Sequence, residues 1–82
     1  MNKYLNNLAK YLATLKSEKE IEDFLVALFT TQELEHIPKR LEIIRLLKKS
    51  TPQHLIARKL GMGIATVTRG SRELKINHFK DV

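Results

Sequence analysis

Between Leu60 and Lys75 the chain reads LGMGIATVTRGSRELK, with two glycines set directly before a helical run of small, β-branched and cationic residues. Few folds accommodate that order. Gly61 can adopt the positive φ that an L-residue resists, which suits a tight turn between two helices. Reading outward from it, Ile56 and Ala57 precede the turn, Leu60 and Met62 flank it, and Ile64 and Val67 follow. This is the spacing of a helix-turn-helix, which extends over about twenty positions. Ala57 is small where two helices cross closely, and Ile56, Leu60, Met62 and Val67 are predicted to face the little core that fixes the inter-helix angle. A helix built this way can enter a DNA groove. Val67 is assigned to the core, whereas the spacing leaves Ile64 open between packing and contact.

The rest of the chain reads as helices joined by short turns, so the fold class is all-α, with five short helices. Leu5, Leu8, Ala9, Leu12 and Leu15 recur at helical spacing and predict a first helix from about Lys3 to Leu15. Ser17 can cap a second, whose apolar stripe is Ile21, Phe24, Leu25 and Leu28 and which should stop near Phe29. Glu18, Glu20, Glu22 and Asp23 crowd its first turns, where the helix dipole favours negative charge. Thr30 and Glu33 stand three apart as a capping box for a third and longest helix reaching about Lys49. Pro38 lies inside that helix and removes a backbone donor, so a bend is expected there. Thr51 and Pro52 read as a cap and first-turn pair for a fourth helix ending at Leu60. The fifth is predicted from about Ile64 to Leu74.

At 82 residues the chain is read as a single domain. Its parts are a helical dimerisation core (1–50), a helix-turn-helix reading head (51–75) and a short, weakly patterned tail (76–82). A domain this small buries only about 60–65% of its unfolded surface, so its core is marginal alone. There is no cysteine for disulfides, and His36, His54 and His78 are too widely spaced for the usual zinc patterns. Dimerisation is therefore the expected help, with a monomeric five-helix bundle as the alternative. The longest apolar runs fall far short of the roughly 20 residues that span a bilayer, and the N-terminus lacks a signal-peptide core, so the protein is read as cytoplasmic.

Charge divides the chain at Pro38. Up to Ile37, four lysines face six acids; from Pro38 onward, eleven Lys and Arg face only Glu42, Glu73 and Asp81, so the net +6 arises entirely in the C-terminal half. That half also holds the helix-turn-helix. Cationic surface recruits polyanions by counterion release, giving affinity without sequence information. Helix N-termini at 51–53 and 63–65 would add free N–H groups for phosphates.

In LGMGIATVTRGS, in the preceding TPQHLIARK and more loosely in FLVALFTTQELEHIPKRLEII, the chain resembles the Trp repressor family over about three quarters of its length. GIATVTRGS is the specific part, because it continues past a generic helix-turn-helix into the Thr-Arg-Gly-Ser run where the family's helix meets its co-repressor. The resemblance implies an intertwined all-helical homodimer with two reading heads. It also implies that L-tryptophan wedges between core and head and sets their spacing to successive major grooves, with no other cofactor required.

Site residues follow from the resemblance one by one. The indole would lie between the guanidinium groups of Arg40 and Arg69, whose planes stack on aromatic rings and whose forks bind carboxylates; on spacing alone these are two surface cations. The ligand carboxylate would meet Arg69 and the partner chain's Thr30, its ammonium would meet carbonyls around the partner chain's Ala27 and Phe29, and Gly70 would leave room at the head. Glu73 stands where the family usually has a small polar residue near the amino group. It can receive the ammonium or pair with Arg69 one turn back, a weak orientation on a helix. Toward DNA the resemblance places Ile64, Ala65, Thr66 and Thr68, with Gln53 on a phosphate and much of the base reading through water; Gly63, at the helix N-terminus, and Arg69 are counted among the DNA-binding residues beside them. His54 occupies a position where the family often has a guanine-contacting arginine, and Ala57 one where it often has lysine, so a different operator sequence or lower discrimination is expected. The turn after the third helix is one residue shorter than the family's, and the family's final helix is absent or reduced to 77–82.

These readings converge on a sequence-specific DNA-binding transcriptional repressor activated by L-tryptophan or a similar co-repressor. The alternatives are a ligand-independent regulator on the same scaffold and a helical module for a protein or RNA partner. Nothing in the spacing suggests an enzyme: the acids sit on exposed helix faces and the GMG at 61–63 is a turn.

Overall fold

The computed structural model describes residues 2–76 and 80–82, so the reading of the tail at 77–79 lies outside the described residues. The described residues form five helices and no strands: α1 (Lys3–Leu12), α2 (Glu18–Leu28), α3 (Thr31–Lys48), α4 (Gln53–Leu60) and α5 (Ile64–Lys75). They group into two compact units, residues 1–34 and 35–82.

In the first unit the helix starts follow the sequence closely. The Asn2 side chain accepts from the Tyr4 and Leu5 amides at 2.9 and 3.4 Å, and Ser17 Oγ accepts from the Glu20 amide at 3.1 Å. Thr30 and Glu33 close the predicted reciprocal box, the Glu33 amide donating to Thr30 Oγ1 at 3.2 Å and the Thr30 amide to Glu33 Oε1 at 2.8 Å. Each device satisfies amides that a helix N-terminus leaves orphaned. The first helix, however, ends three residues earlier than its apolar spacing predicts. The Thr14 hydroxyl donates to the Tyr11 carbonyl at 2.7 Å, and the Thr14 and Leu15 amides reach back only three residues, so the last turn tightens and stops. Tyr11 and Phe24 pack rings with centroids 4.8 Å apart. No residue of α1 or α2 is buried, and Tyr4, Leu5, Tyr11, Val26 and Leu28 are each 49–76% exposed.

The second unit has the core. Ile43 and Leu46 from α3, Ile56 from α4 and Val67 from α5 are buried together, with Leu47, Ala57, Leu60 and Met62 packed around them. The predicted helix-turn-helix core residues are therefore all in it. Along α3 the helix runs through Pro38 without interruption, and its buried residues, Ile43, Ile44 and Leu46, are confined to the C-terminal half, while Ile37 and Leu41 remain exposed.

Two helix ends in this unit share one design. Gly61 has φ 64°, as its position requires; its amide donates to the Arg58 carbonyl at 3.3 Å and the Met62 amide to the Ala57 carbonyl at 3.0 Å. The end of α3 repeats the pattern, with Ser50 at φ 64° donating to the Leu47 carbonyl and Thr51 to the Leu46 carbonyl. This paired arrangement reverses the chain in few residues and usually takes glycine. The Thr51–Pro52 expectation shifts by one position: Pro52 itself is the cap, extended at φ −59° and ψ 140°, with no side-chain cap bond. Thr51 is drawn instead into closing α3, so its hydroxyl is not placed to cap α4.

Candidate ligand cleft and nucleic-acid face

Within the second unit, α3 and α5 border an open cleft of about 550 Å³. Its lining is Arg40, Ile43 and Ile44 from α3, and Ala65, Thr66, Arg69, Gly70 and Glu73 from α5. The positions explain the grouping: 40, 43 and 44 share one helix face, as do 65, 66, 69, 70 and 73. Ile43 and Ile44 are 1% and 2% exposed and give an apolar floor, whereas Arg40 and Arg69 are exposed at the rim. The volume lies within the roughly 300–1,000 Å³ typical of small-molecule sites.

Gly70 brings the two helices together. A Cβ there would stand 3.0 Å from Ile43 Cγ2, 3.4 Å from Ile44 Cδ1 and 3.6 Å from Leu47 Cδ1. The missing side chain thus lets α5 approach α3 beneath the cleft as well as leaving room inside it.

The start of α5 forms the second surface. Gly63 caps it in extended conformation with no side-chain cap bond, and Gly63, Ile64 and Ala65 are exposed. Ile64, open in the sequence, is 52% exposed and so is not a core residue of this chain. Thr68 and Arg69 follow one turn later, also exposed. At the start of α4, His54 is exposed and Gln53 half-buried, and the Thr68 hydroxyl donates to Gln53 Oε1 at 2.9 Å, tying the two helices.

The structure brings together Arg40, Arg69, Gly70 and Glu73 from the sequence-based set. Ala27, Phe29 and Thr30 belong to the first unit; Ala27 is on α2, Phe29 is its C-cap, and Thr30 holds the capping box through its hydroxyl oxygen. Sequence reasoning missed the cleft roles of Ile43, Ile44, Ala65 and Thr66. Their signal was present, because each lies three or four residues from Arg40 or Arg69.

Two short helices joined at a left-handed glycine, the second packed through Val67 and exposed at its start, define a helix-turn-helix protein. Residues 3–80 match the family described as Trp repressor protein. A Trp operon repressor homolog of Vibrio vulnificus is 43% identical over 65 residues, which is 78% of this chain and 64% of the relative. Homologs of the same name from Actinobacillus succinogenes and Xylella fastidiosa are 38% and 35% identical over 87% and 90% of this chain, and 71% and 82% of their own lengths. The chain belongs to the Trp repressor family, whose members are regulatory proteins rather than enzymes. It spans about two thirds of the length of the Vibrio vulnificus relatives. No solved structure gives a significant match. Among the described residues, no helix is long and apolar enough to cross a membrane.

Proposed function

We propose that this chain is a sequence-specific DNA-binding transcriptional repressor, working in the cytoplasm as a homodimer and activated by L-tryptophan or a similar amino acid. The observation that carries this reading is that the cleft and the exposed face of α5 share residues. Ala65, Thr66 and Arg69 line the cleft, and they stand in the first two turns of the helix whose open N-terminus would meet DNA. A ligand held between Arg40 and Arg69 would therefore bear directly on the pose of that helix. Its effect is bounded by its differential affinity for the DNA-competent and incompetent poses.

Chemistry supports each role. Guanidinium planes can stack on an indole while their forks take a carboxylate, and Ile43 and Ile44 supply an apolar floor. The partner chain's Ala27, Phe29 and Thr30 would complete the site. The Thr30 oxygen accepts from Glu33 in its capping role, which still permits its O–H to donate to a carboxylate. On the DNA side Gly63, Ile64, Ala65, Thr66 and Thr68 would approach the groove, and Gln53 and His54 the backbone or a base edge. Half-exposed apolar side chains in the first unit give the homodimer a surface to bury.

Two measurements test this reading. Calorimetry with L-tryptophan should show saturable binding that Arg69→Ala abolishes. Selection of duplexes from a random pool, with and without L-tryptophan, should return a two-fold symmetric operator only with the ligand. Equal selection in both arms would favour the ligand-independent regulator, and no duplex preference would favour an interaction module instead.

A further inference from the structure

The cleft carries two cations and one carboxylate, Arg40, Arg69 and Glu73, above the apolar floor of Ile43 and Ile44. Two guanidinium groups alone would accept almost any carboxylate attached to an apolar body. Glu73 adds a condition to that selection. Resting on the reading of this cleft as an amino-acid site, we propose that Glu73 is a specificity residue that selects the α-ammonium group, so that the site takes a zwitterion and rejects the same molecule without its amine.

Placement supports this. Arg69 and Glu73 are four apart on α5, which puts their Cβ atoms roughly 5–6 Å from one another on the same helix face. Ammonium and carboxylate of an α-amino acid share one carbon, so neighbouring groups of opposite charge on successive turns match them as a pair. Glu73 is half-buried and Arg69 exposed, and both line the cleft. A carboxylate offers about four acceptor positions, so an interaction with the protein and one with a ligand ammonium are compatible. A deaminated acid would instead bring its carboxylate beside that of Glu73 with no compensating cation of its own, and like charges at close range are disfavoured. An amine lacking the carboxylate would bring no anion to the two guanidinium groups.

The test is titration calorimetry on the full chain with three probes: L-tryptophan, indole-3-propionate, which lacks the amine, and tryptamine, which lacks the carboxylate. The unaltered chain should bind L-tryptophan at least about tenfold more tightly than either of the others. Glu73→Gln and Glu73→Ser should bring the ratio of L-tryptophan to indole-3-propionate affinity close to one, chiefly by strengthening indole-3-propionate binding. A merely structural role for Glu73 would move both affinities together and leave their ratio unchanged. The proposal is overturned if binding persists in both variants with the ratio intact, or if the unaltered chain prefers indole-3-propionate. Failure of the unaltered chain to bind any of the three probes would overturn the amino-acid reading of the cleft itself, and this proposal with it.

Discussion

Residues 1–34 and residues 35–82 are both built from helices, yet they differ in burial, in charge and in how their helices begin. The first unit buries no residue of α1 or α2 and carries four lysines against five acids, while the second encloses Ile43, Leu46, Ile56 and Val67 and carries eleven cations against four acids. Helices that start in the first unit are capped by the side chains of Asn2, Ser17 and Thr30, whereas α4 and α5 start at Pro52 and Gly63 without any side-chain cap bond. Caps ordinarily contribute about 1 kcal/mol each. On the proposed function, leaving them out where the cations are concentrated would keep backbone N–H groups available to phosphates, while the first unit would keep apolar surface available to another chain.

The largest expected effect tests the difference in burial. Ile56→Ala should cost about 3 kcal/mol, as removal of a fully enclosed branched side chain generally does. Leu28→Ala, at a site 49% exposed, should cost little in a monomer but much more where a second chain covers it. Urea denaturation at two protein concentrations separates the cases, because burial between chains makes stability rise with concentration. A midpoint independent of concentration, with Leu28→Ala silent, would break the assignment of the first unit to an interface.

A smaller effect tests the open helix starts. Gly63 has φ −69° and no atom within 4 Å of where a Cβ would sit, so Gly63→Asp fits without strain. Its carboxylate can cap α5 and place a negative charge where a phosphate would come. DNA affinity should fall about tenfold or more while the thermal midpoint holds or rises, a pairing that anisotropy and melting measurements would reveal. Ser17→Ala, the converse change in the first unit, should lower stability by about 1 kcal/mol. Unchanged DNA affinity in Gly63→Asp would remove the start of α5 from the DNA face.

How much of this was legible in the sequence depends on the range of the forces involved. Local devices were readable, since Ser17 and the Thr30–Glu33 pair act within a single turn and Gly61 marks its own backbone state. The helix-turn-helix core was readable too, because its apolar spacing and its packing are one pattern. The end of α1 was not, because a hydroxyl bond from Thr14 stops a helix that Leu15 continues in pattern. Among the site residues, the gathering of Arg40 with Arg69 depends on α3 meeting α5 across about thirty residues of chain, which only the resemblance supplied. Their apolar floor went unnoticed because Ile43 and Ile44 look like ordinary core residues, which they also are.

The smallest effect concerns the two left-handed positions, where sequence and backbone agree once and conflict once. Gly61 and Ser50 have the same φ, 64°, and the same pair of backbone bonds closing the helix before them. No atom lies within 4 Å of a Cβ built at Gly61, so Gly61→Ala isolates the backbone term and should destabilise by about 1 kcal/mol, the left-handed penalty less the reduced freedom of the unfolded chain. Ser50→Gly reverses the trade and should stabilise by about 0.5 kcal/mol in the same denaturation assay. The comparison is informative because each change touches the turn at one end of α4, which carries Gln53 and His54. If Ser50→Gly stabilises the fold but weakens DNA binding, the serine holds α4 in a restricted pose that glycine loosens. Gain in stability with unchanged binding would make Ser50 a tolerated strain and leave the orientation of α4 to the core around Ile56.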